Sequence, residues 1–396
     1  MNTSDYLPAI NAGAMHDINR TAILEIIRRE SPISRTAIAE RLELSLPTVM
    51  RIVDELFAEG LVKSHGDTEW SGGRRRPLLQ FNSEESVVVG VDLGGPIFYG
   101  AVSDLGGNII EELEITRLGS SSEDNFARTL TLIDALLKSE KIKGRKVRGI
   151  GIGVPGVTDH KTGIVTWAYS LNWRNFPLRE MLEEKYDLPL IVDNDMNLAA
   201  LGELWFGKGQ DTRNMILFTV TTGIGAGIII DRELYRGSTN SSGEIGNMLP
   251  GREFLGQNFG DFGALETNAS FTGIIRLARN YLHLSPDQPL GGDEIFAAYR
   301  EGKTWAIKLI DEMVQYLAVA IANLTVSFDP DLIILCGDVT RFANMLIEPI
   351  VNYIDSSIPT PPKLVMSDLG RKAVAMGAIT NVLHNTTNFI VVRKLT

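Results

Sequence analysis

Hydrophobic positions along this chain follow two periods, and the change from one to the other divides it. The front is helical. Asn19–Arg29 places Ile23, Ile26 and Ile27 at i, i+3 and i+4, which predicts an amphipathic helix stopped by Ser31-Pro32. Ser34 is suited to cap a second helix over Arg35–Leu42, with Ile38 and Leu42 inward. Ser45 is suited to cap a third, which carries Pro47 in its first turn, a stripe of Val49, Ile52, Val53 and Leu56, and Gly60 at its end. Leu61-Val62-Lys63 then reads as a strand, His65–Ser71 as a polar loop and Leu78–Phe81 as the returning strand. Two short helices on a tight turn, followed by a hairpin, form the winged helix-turn-helix pattern.

Beyond Asn82-Ser83-Glu84-Glu85 the pattern changes to buried strands, which sets expected domains of 1–83 and 84–396. Ser86–Val91, Ile97–Val102 and Asn108–Glu114 are strand-like, with a turn Asp92-Leu93-Gly94-Gly95-Pro96 after the first. A helix over Glu123–Lys138 and a strand over Val147–Val154 follow. The same unit returns later: Met215–Val220, the turn Thr221-Thr222-Gly223-Ile224-Gly225, the strand Ala226–Ile230 and a tight turn at Asp231-Arg232-Glu233. Strand, glycine turn, strand, turn, strand, repeated, predicts an α/β protein of two lobes with a cleft where the glycine turns meet. Thr304–Ser327 is a long amphipathic helix, Leu332–Cys336 a buried strand and Ala373–Leu383 a small-residue helix.

Composition narrows this picture. The 396 residues are 44% hydrophobic and 22% charged, which is globular rather than disordered. A single cysteine excludes an internal disulfide framework and fits a reducing cytoplasm; Cys336 reads as a core residue. No uninterrupted apolar run has the roughly 18 residues of a membrane span, so no membrane partner is expected. The net charge is −11, and almost all of the acidic excess lies beyond residue 82, so DNA binding requires a local basic face.

That face has candidates. The start of the third helix presents Pro47, Thr48, Met50 and Arg51, the end such motifs push into a major groove. Gly72-Gly73 precede Arg74, Arg75 and Arg76, suited to phosphates or a narrow minor groove. The plainer alternatives are a helical dimerisation bundle and a solvated charge run. In the second part, two glycines beside two threonines can cradle an anion or simply close a hairpin. Ile191-Val192-Asp193 runs into Asn194-Asp195 at a helix start, where Asp195 can hold or deprotonate a hydroxyl, or merely cap the helix.

Together these residues resemble the ROK family of repressors, open reading frames and sugar kinases, over nearly the whole chain. The likeness is to the branch of xylose and N-acetylglucosamine repressors. It implies a winged helix-turn-helix followed by a two-lobed actin-like, ribonuclease-H-like domain. Ser34-Arg35, Ser45–Arg51 and the arginine-rich wing look like the family's DNA reader. Asp92, Gly94 and Gly95 resemble its first phosphate motif; Thr221, Thr222, Gly223 and Gly225 its second; Gly337 its adenosine-side turn. Asn194 matches a sugar-binding asparagine and Asp195 the kinase's catalytic aspartate, while Glu244 and Glu266 match two sugar-binding glutamates. Trp167–Trp173 sits where the sugar loop lies, with Asn172 placed for a hydroxyl and Trp173 for core packing.

The departures matter as much. Pro96 replaces a threonine and removes an N–H and a hydroxyl where phosphate would be gripped. Asn247, Gln257, Phe259 and Ala264 replace the histidine and three cysteines of the family's metal site. No thiolate or imidazole remains there, so no zinc is expected, and Phe254, Phe259 and Phe262 would hold the loop by packing. Asn247 then joins the expected sugar contacts. The resemblance implies a cytoplasmic repressor, dimeric or tetrameric, that binds double-stranded operator DNA and answers to a sugar. The alternative is an ATP-dependent sugar kinase, with Asp195 as general base and Mg-ATP between the two glycine turns.

Overall fold

The computed structural model describes residues 12–69, 76–117, 121–260, 262–285 and 288–387. The front unit is α1 (Ala12–Glu30), α2 (Arg35–Leu42) and α3 (Leu46–Ala58), then a hairpin of β1 (Val62–Glu69) and β2 (Arg76–Phe81). Ser34 Oγ accepts from the Ala37 N–H and Ser45 Oγ from the Thr48 N–H, so both serines cap as expected. Each cap is worth about 1 kcal/mol. Ile23, Ile27, Ile38, Val49, Ile52, Val53 and Leu56 meet in one buried core.

The hairpin corrects one expectation. His65–Glu69 is strand rather than loop, paired from Val62 opposite Phe81 to Glu69 opposite Arg76, with an irregularity between His65 and Thr68. A polar two-stranded ribbon is held by its ladder of backbone hydrogen bonds, so apolar alternation gives no sign of it. Arg74 and Arg75 lie outside the described residues; Arg76 opens β2.

The remainder is the two-lobed α/β domain. Lobe 1 contains β3 (Ser86–Asp92), β4 (Ile97–Asp104), β5 (Ile109–Thr116), α4 (Ser122–Leu137) and β6 (Lys146–Val154). A small antiparallel flap follows, made of β7 (Val157–Asp159), β8 (Ile164–Ala168) and β9 (Trp173–Phe176); then α5 (Leu178–Glu183) and β10 (Leu190–Asn194). After α6 (Asp195–Phe206), lobe 2 contains β11 (Met215–Val220), β12 (Ile224–Ile230) and β13 (Glu233–Leu234), helices α7 (Ala264–Ala269), α8 (Phe271–Tyr281), α9 (Gly292–Arg300) and α10 (Thr304–Phe328), then β14 (Leu332–Cys336), α11 (Ala343–Ser357) and β15 (Leu364–Met366). The chain ends its described part in α12 (Lys372–Thr387).

The two sheets have one plan. Their strand orders are β10-β6-β3-β4-β5 and β13-β12-β11-β14-β15. In each, three strands form an antiparallel meander and two more lie parallel to its first strand. The repeat read from the glycine hairpins therefore extends to all five strands. Helices α6 and α12 cross between the lobes at very short range. A Cβ on Gly377 would overlap the carbonyl oxygen of Leu198, and one on Gly202 that of Ala373.

The DNA-reader unit is not a bead on a string. Its core continues through Leu79 and Phe81 into Val88 and Leu105 of lobe 1 and Met376, Ile379, Val382 and Leu383 of α12. Asn82 Nδ2 donates to the Gly60 carbonyl at 3.0 Å, and Arg148 reaches both Ser86 Oγ and the Glu59 carbonyl. The expected boundary at 83/84 thus falls in a turn tied from both sides. α10 is long and apolar enough by length and composition to cross a membrane; Ile310, Met313, Leu317 and Ile321 bury in lobe 2, as in a core helix.

Candidate functional site

The end of β10 and the start of α6 place the central carboxylate. Asn194, not Asp195, caps α6: its Oδ1 accepts from the Asn197 N–H at 2.9 Å while its Nδ2 donates to the Gly156 carbonyl at 2.8 Å. The reading of Asp195 as a cap is therefore corrected. Asp195 accepts from the Met196 N–H at 2.9 Å and is nearly buried, with no side-chain donor to it among the described residues.

Both glycine turns press on this point. A Cβ on Gly94 would sit 3.2 Å from Asp195 Oδ2 and 3.0 Å from Asp92 Oδ1, and Asp92 accepts the Gly94 N–H at 2.8 Å. On the other side Met196 lies against Gly225 and Gly227 of β12. Gly223 approaches Glu266, whose Oε2 accepts from the Ile224 N–H at 3.4 Å. Gly337, at φ +89°, sits against Thr221 and Val220, where a side chain would collide with both. Thr221 and Thr222 turn the chain between β11 and β12, and Thr221 Oγ1 bonds only within its own turn among the described residues.

Four carboxyls thus converge: Asp92, Asp195, Glu244 and Glu266. Burial raises Asp92 to about 8, helped by the Asp195 charge, and raises Asp195 to about 7, helped by Glu244. Burial also raises Glu244 and Glu266 above the usual carboxylate range. Because the folded pKa values of the two aspartates lie above the ordinary 3.8, the unfolded chain releases these protons first as pH rises. Folding is therefore unpenalised by them at low pH and increasingly penalised up to about pH 8. We expect Asp92→Asn to be more stable than the wild type at pH 8 by about 1–3 kcal/mol, with the difference vanishing near pH 4. Urea midpoints at the two pH values check this; an equal difference at both would contradict it.

The expected polar contacts divide. Asp195, Glu244 and Glu266 come together. Asn194 is present but has both ends of its amide engaged. Asn172 is exposed, in a left-handed turn ahead of β9, and Asn247 is exposed with Nδ2 3.4 Å from the Glu244 carbonyl. Trp173 packs, as expected: it is buried, stacked on Phe176 at 4.6 Å, and donates Nε1–H to the Ser122 carbonyl.

Sequence reasoning missed the contacts that close the cleft. Arg236 of lobe 2 forms an ion pair with buried Asp193 of lobe 1 at 2.6 Å. His160 Nδ1 lies 3.0 Å from Asn240 Oδ1, and Tyr169 lies edge-on to Phe262 at 6.4 Å. Trp167 and Tyr169 are exposed at this mouth, with Arg174 over Trp167 at 4.9 Å. The apolar-aromatic segment Trp167–Trp173 is the only sequence signal for this mouth, and it does not say which ring faces out.

The loop at the metal positions does not fit zinc. Asn247 and Gln257 supply amides, Phe259 and Ala264 no donor at all. Gln257 Nε2 is spent on the Glu253 carbonyl at 2.7 Å. Phe254, nearly buried, packs on Phe259 at 6.0 Å and on Tyr316 at 5.9 Å, and Phe262 reaches across to Tyr169. A buried ring contributes ~1.5–3 kcal/mol, far less than a structural zinc but enough to hold a loop. The purified protein is expected to contain far less than one zinc per chain and to keep its melting temperature in a chelator. Stoichiometric zinc with a melting loss on chelation would refute this.

In the reader, Met50 and Arg51 are exposed on α3 beside exposed Pro47. Ser34, Ser45 and Thr48 are tied up in helix caps. Arg51 bonds Glu55 at 2.9 Å, and Arg35 reaches Asp54 at 3.3 Å and the Phe57 ring at 5.6 Å. An exposed i,i+4 pair is worth ~0.3–0.5 kcal/mol, so Arg51 is readily released to a stronger partner.

Comparison with known proteins agrees with this geometry. Residues 88–384 match the ROK family, and residues 16–63 match a winged helix-turn-helix DNA-binding family. The chain belongs to the ROK family. A ROK relative, the xylose repressor of Caldicellulosiruptor bescii, is 30% identical over 96% of this chain and 98% of its own. A glucokinase of Halalkalibacterium halodurans is 36% identical over 68% of this chain and 85% of its own. Among solved structures, a ROK family transcriptional regulator described as a homologue of the E. coli MLC protein superposes with a TM-score of 0.81 at 26% identity, covering 94% of this chain and 97% of that one. This ROK chain thus has an N-terminal winged helix-turn-helix and a two-lobed actin-like domain, the architecture of a DNA-binding regulator.

Proposed function

We propose that the chain is a cytoplasmic, homo-oligomeric transcriptional repressor whose affinity for operator DNA responds to a sugar held between the lobes. The observation that carries this reading is the convergence of Asp195, Glu244 and Glu266 on one interlobe point while the reader shares its core with lobe 1 and α12. Carboxyls that burial makes reluctant to ionise gain most from donors that can be shed, and sugar hydroxyls are such donors. A sugar bridging the lobes favours one angle between them. Because the reader is packed onto lobe 1 and α12, that angle is passed to the spacing of paired readers, which operator half-sites fix. The xylose repressor, which aligns end to end, supports this reading.

The glucokinase relative and an Asp195 near 7 favour a second reading, a sugar kinase with Asp195 as the base. Against it stands Pro96, which denies the first turn a donor and a hydroxyl. ATP turnover with a panel of monosaccharides separates the two. Thermal shift with the same panel identifies the effector, since a ligand of the folded state raises its melting point. No turnover and one stabilising sugar is the expected result; robust phosphorylation lost in Asp195→Asn would establish the kinase.

A further inference from the structure

A cavity of about 170 Å³ lies away from the sugar cleft, where the DNA reader meets both lobes. The reader, both lobes and the two helices between them all contribute to its wall. α1 of the reader gives Arg28 and Arg29, α6 gives Trp205, the β12–β13 turn of lobe 2 gives Arg232, and α12 gives Thr380 and His384. The wall is strongly cationic. Buried Glu25 stands behind the two reader arginines: Arg28 binds it through Nε at 2.8 Å and Nη2 at 2.9 Å, and Arg29 binds it through Nε. That single acid holds two guanidiniums in place, and the terminal nitrogens of Arg29 have no hydrogen-bond partner among the described residues.

The opposite wall is aromatic. Trp205 is edge-on to His384 at 5.0 Å, and the Arg232 guanidinium lies 5.4 Å from the indole while donating to the Gln210 and Thr212 carbonyls. The Nε1–H of Trp205 is buried without a partner among the described residues. Burial holds His384 down at about 4, so at neutral pH it is an uncharged hydrogen-bonding ring and not a competing cation.

We propose that this cavity is a second effector site, which takes a small organic anion, its carboxylate or phosphate gripped by Arg29 and its flat body laid on Trp205. The guanidinium fork suits either anion. The volume is that of a cavity able to take a benzene-sized ring, with the charged group toward the open side. Because the reader and both lobes share the wall, occupancy favours one placement of the reader and so alters DNA affinity independently of the sugar cleft.

Phenyl phosphate and benzoate are the probes, with phenol and inorganic phosphate as controls, on the full chain and a duplex the protein itself selects. At least one organic anion is expected to bind saturably below about 10 mM, to change tryptophan fluorescence, and to shift duplex affinity equally in the wild type and in Asp195→Asn. Arg29→Ala, which leaves the Glu25–Arg28 pair intact, is expected to weaken binding about tenfold, the loss of one charge-assisted contact. Trp205→Phe, which keeps a packed ring, should weaken it and remove the fluorescence change. Three results overturn the proposal: no saturable binding of either organic anion, equal binding of inorganic phosphate alone, or undiminished binding in Arg29→Ala. Survival of the effect in Asp195→Asn keeps this test separate from that of the sugar cleft.

Discussion

Asp195→Asn is expected to weaken effector binding about 10- to 100-fold and to abolish the sugar response, while duplex affinity without sugar stays within about twofold of wild type. The side chain sits between the two glycine turns, nearly buried, with Gly94 against its Oδ2 and Met196 held on β12. Only backbone N–H groups at the start of α6 donate to it among the described residues, so a ligand hydroxyl finds an acceptor whose alternative is a poorly hydrated charge. A hydrogen bond to such a group is worth ~1.5–3 kcal/mol, which sets the fold-change. The amide keeps the shape and one acceptor, and it removes the penalty of ionising at about 7, so the fold should not suffer. The reader's exposed face lies on α3, away from this point, which is why basal DNA binding survives. Calorimetry with the sugar found by thermal shift checks the first half and anisotropy on a labelled duplex the second; parallel loss of both would mean that Asp195 holds up the structure instead.

Removing the wing arginines should have the largest effect on DNA. Arg74→Ala/Arg75→Ala is expected to lower affinity by one to two orders of magnitude at physiological salt, across all duplexes, and to reduce the salt slope by about 2. The cause is electrostatic. The chain carries net −11, so approach to DNA depends on cations gathered at the reader. Neither position lies among the described residues, and the sequence Gly72-Gly73-Arg74-Arg75-Arg76 alone supports the assignment. Arg51→Ala should behave differently. Its surface pair with Glu55 is weak, its side chain is exposed on α3, and its loss should relax sequence preference as well as affinity. A wing variant with an unchanged salt slope would remove the phosphate role.

Much of the fold is legible in the amino-acid sequence. The serine caps, the stripe of α3 and the glycine hairpins each depend on local chemistry that a sequence displays directly. Asp195 is legible as a candidate from its place at a strand end and helix start, whereas Glu266 is legible only through family resemblance, since nothing local says that α7 will return it to the turn at Ile224. What is illegible is long-range or polar. The strand at His65–Glu69 has no apolar alternation. The Asp193–Arg236 pair joins residues from different lobes, and charge alone names no partner. Asn194 and Asp195 are adjacent candidates for one cap, and φ/ψ, not composition, decides which takes it. The sharing of a core between Phe81, Val88 and Ile379 is hidden for the same reason: a hydrophobic residue shows that it is buried, not against what.

The coupling of hydroxyl recognition between the lobes to the reader is tested most directly by titrating one labelled duplex with the full-length protein, with and without the sugar that most raises its melting point. The expected result is an affinity change of about tenfold or more in the wild type and none in Asp195→Asn; the same duplex affinity with and without a sugar shown to occupy the cleft would contradict it.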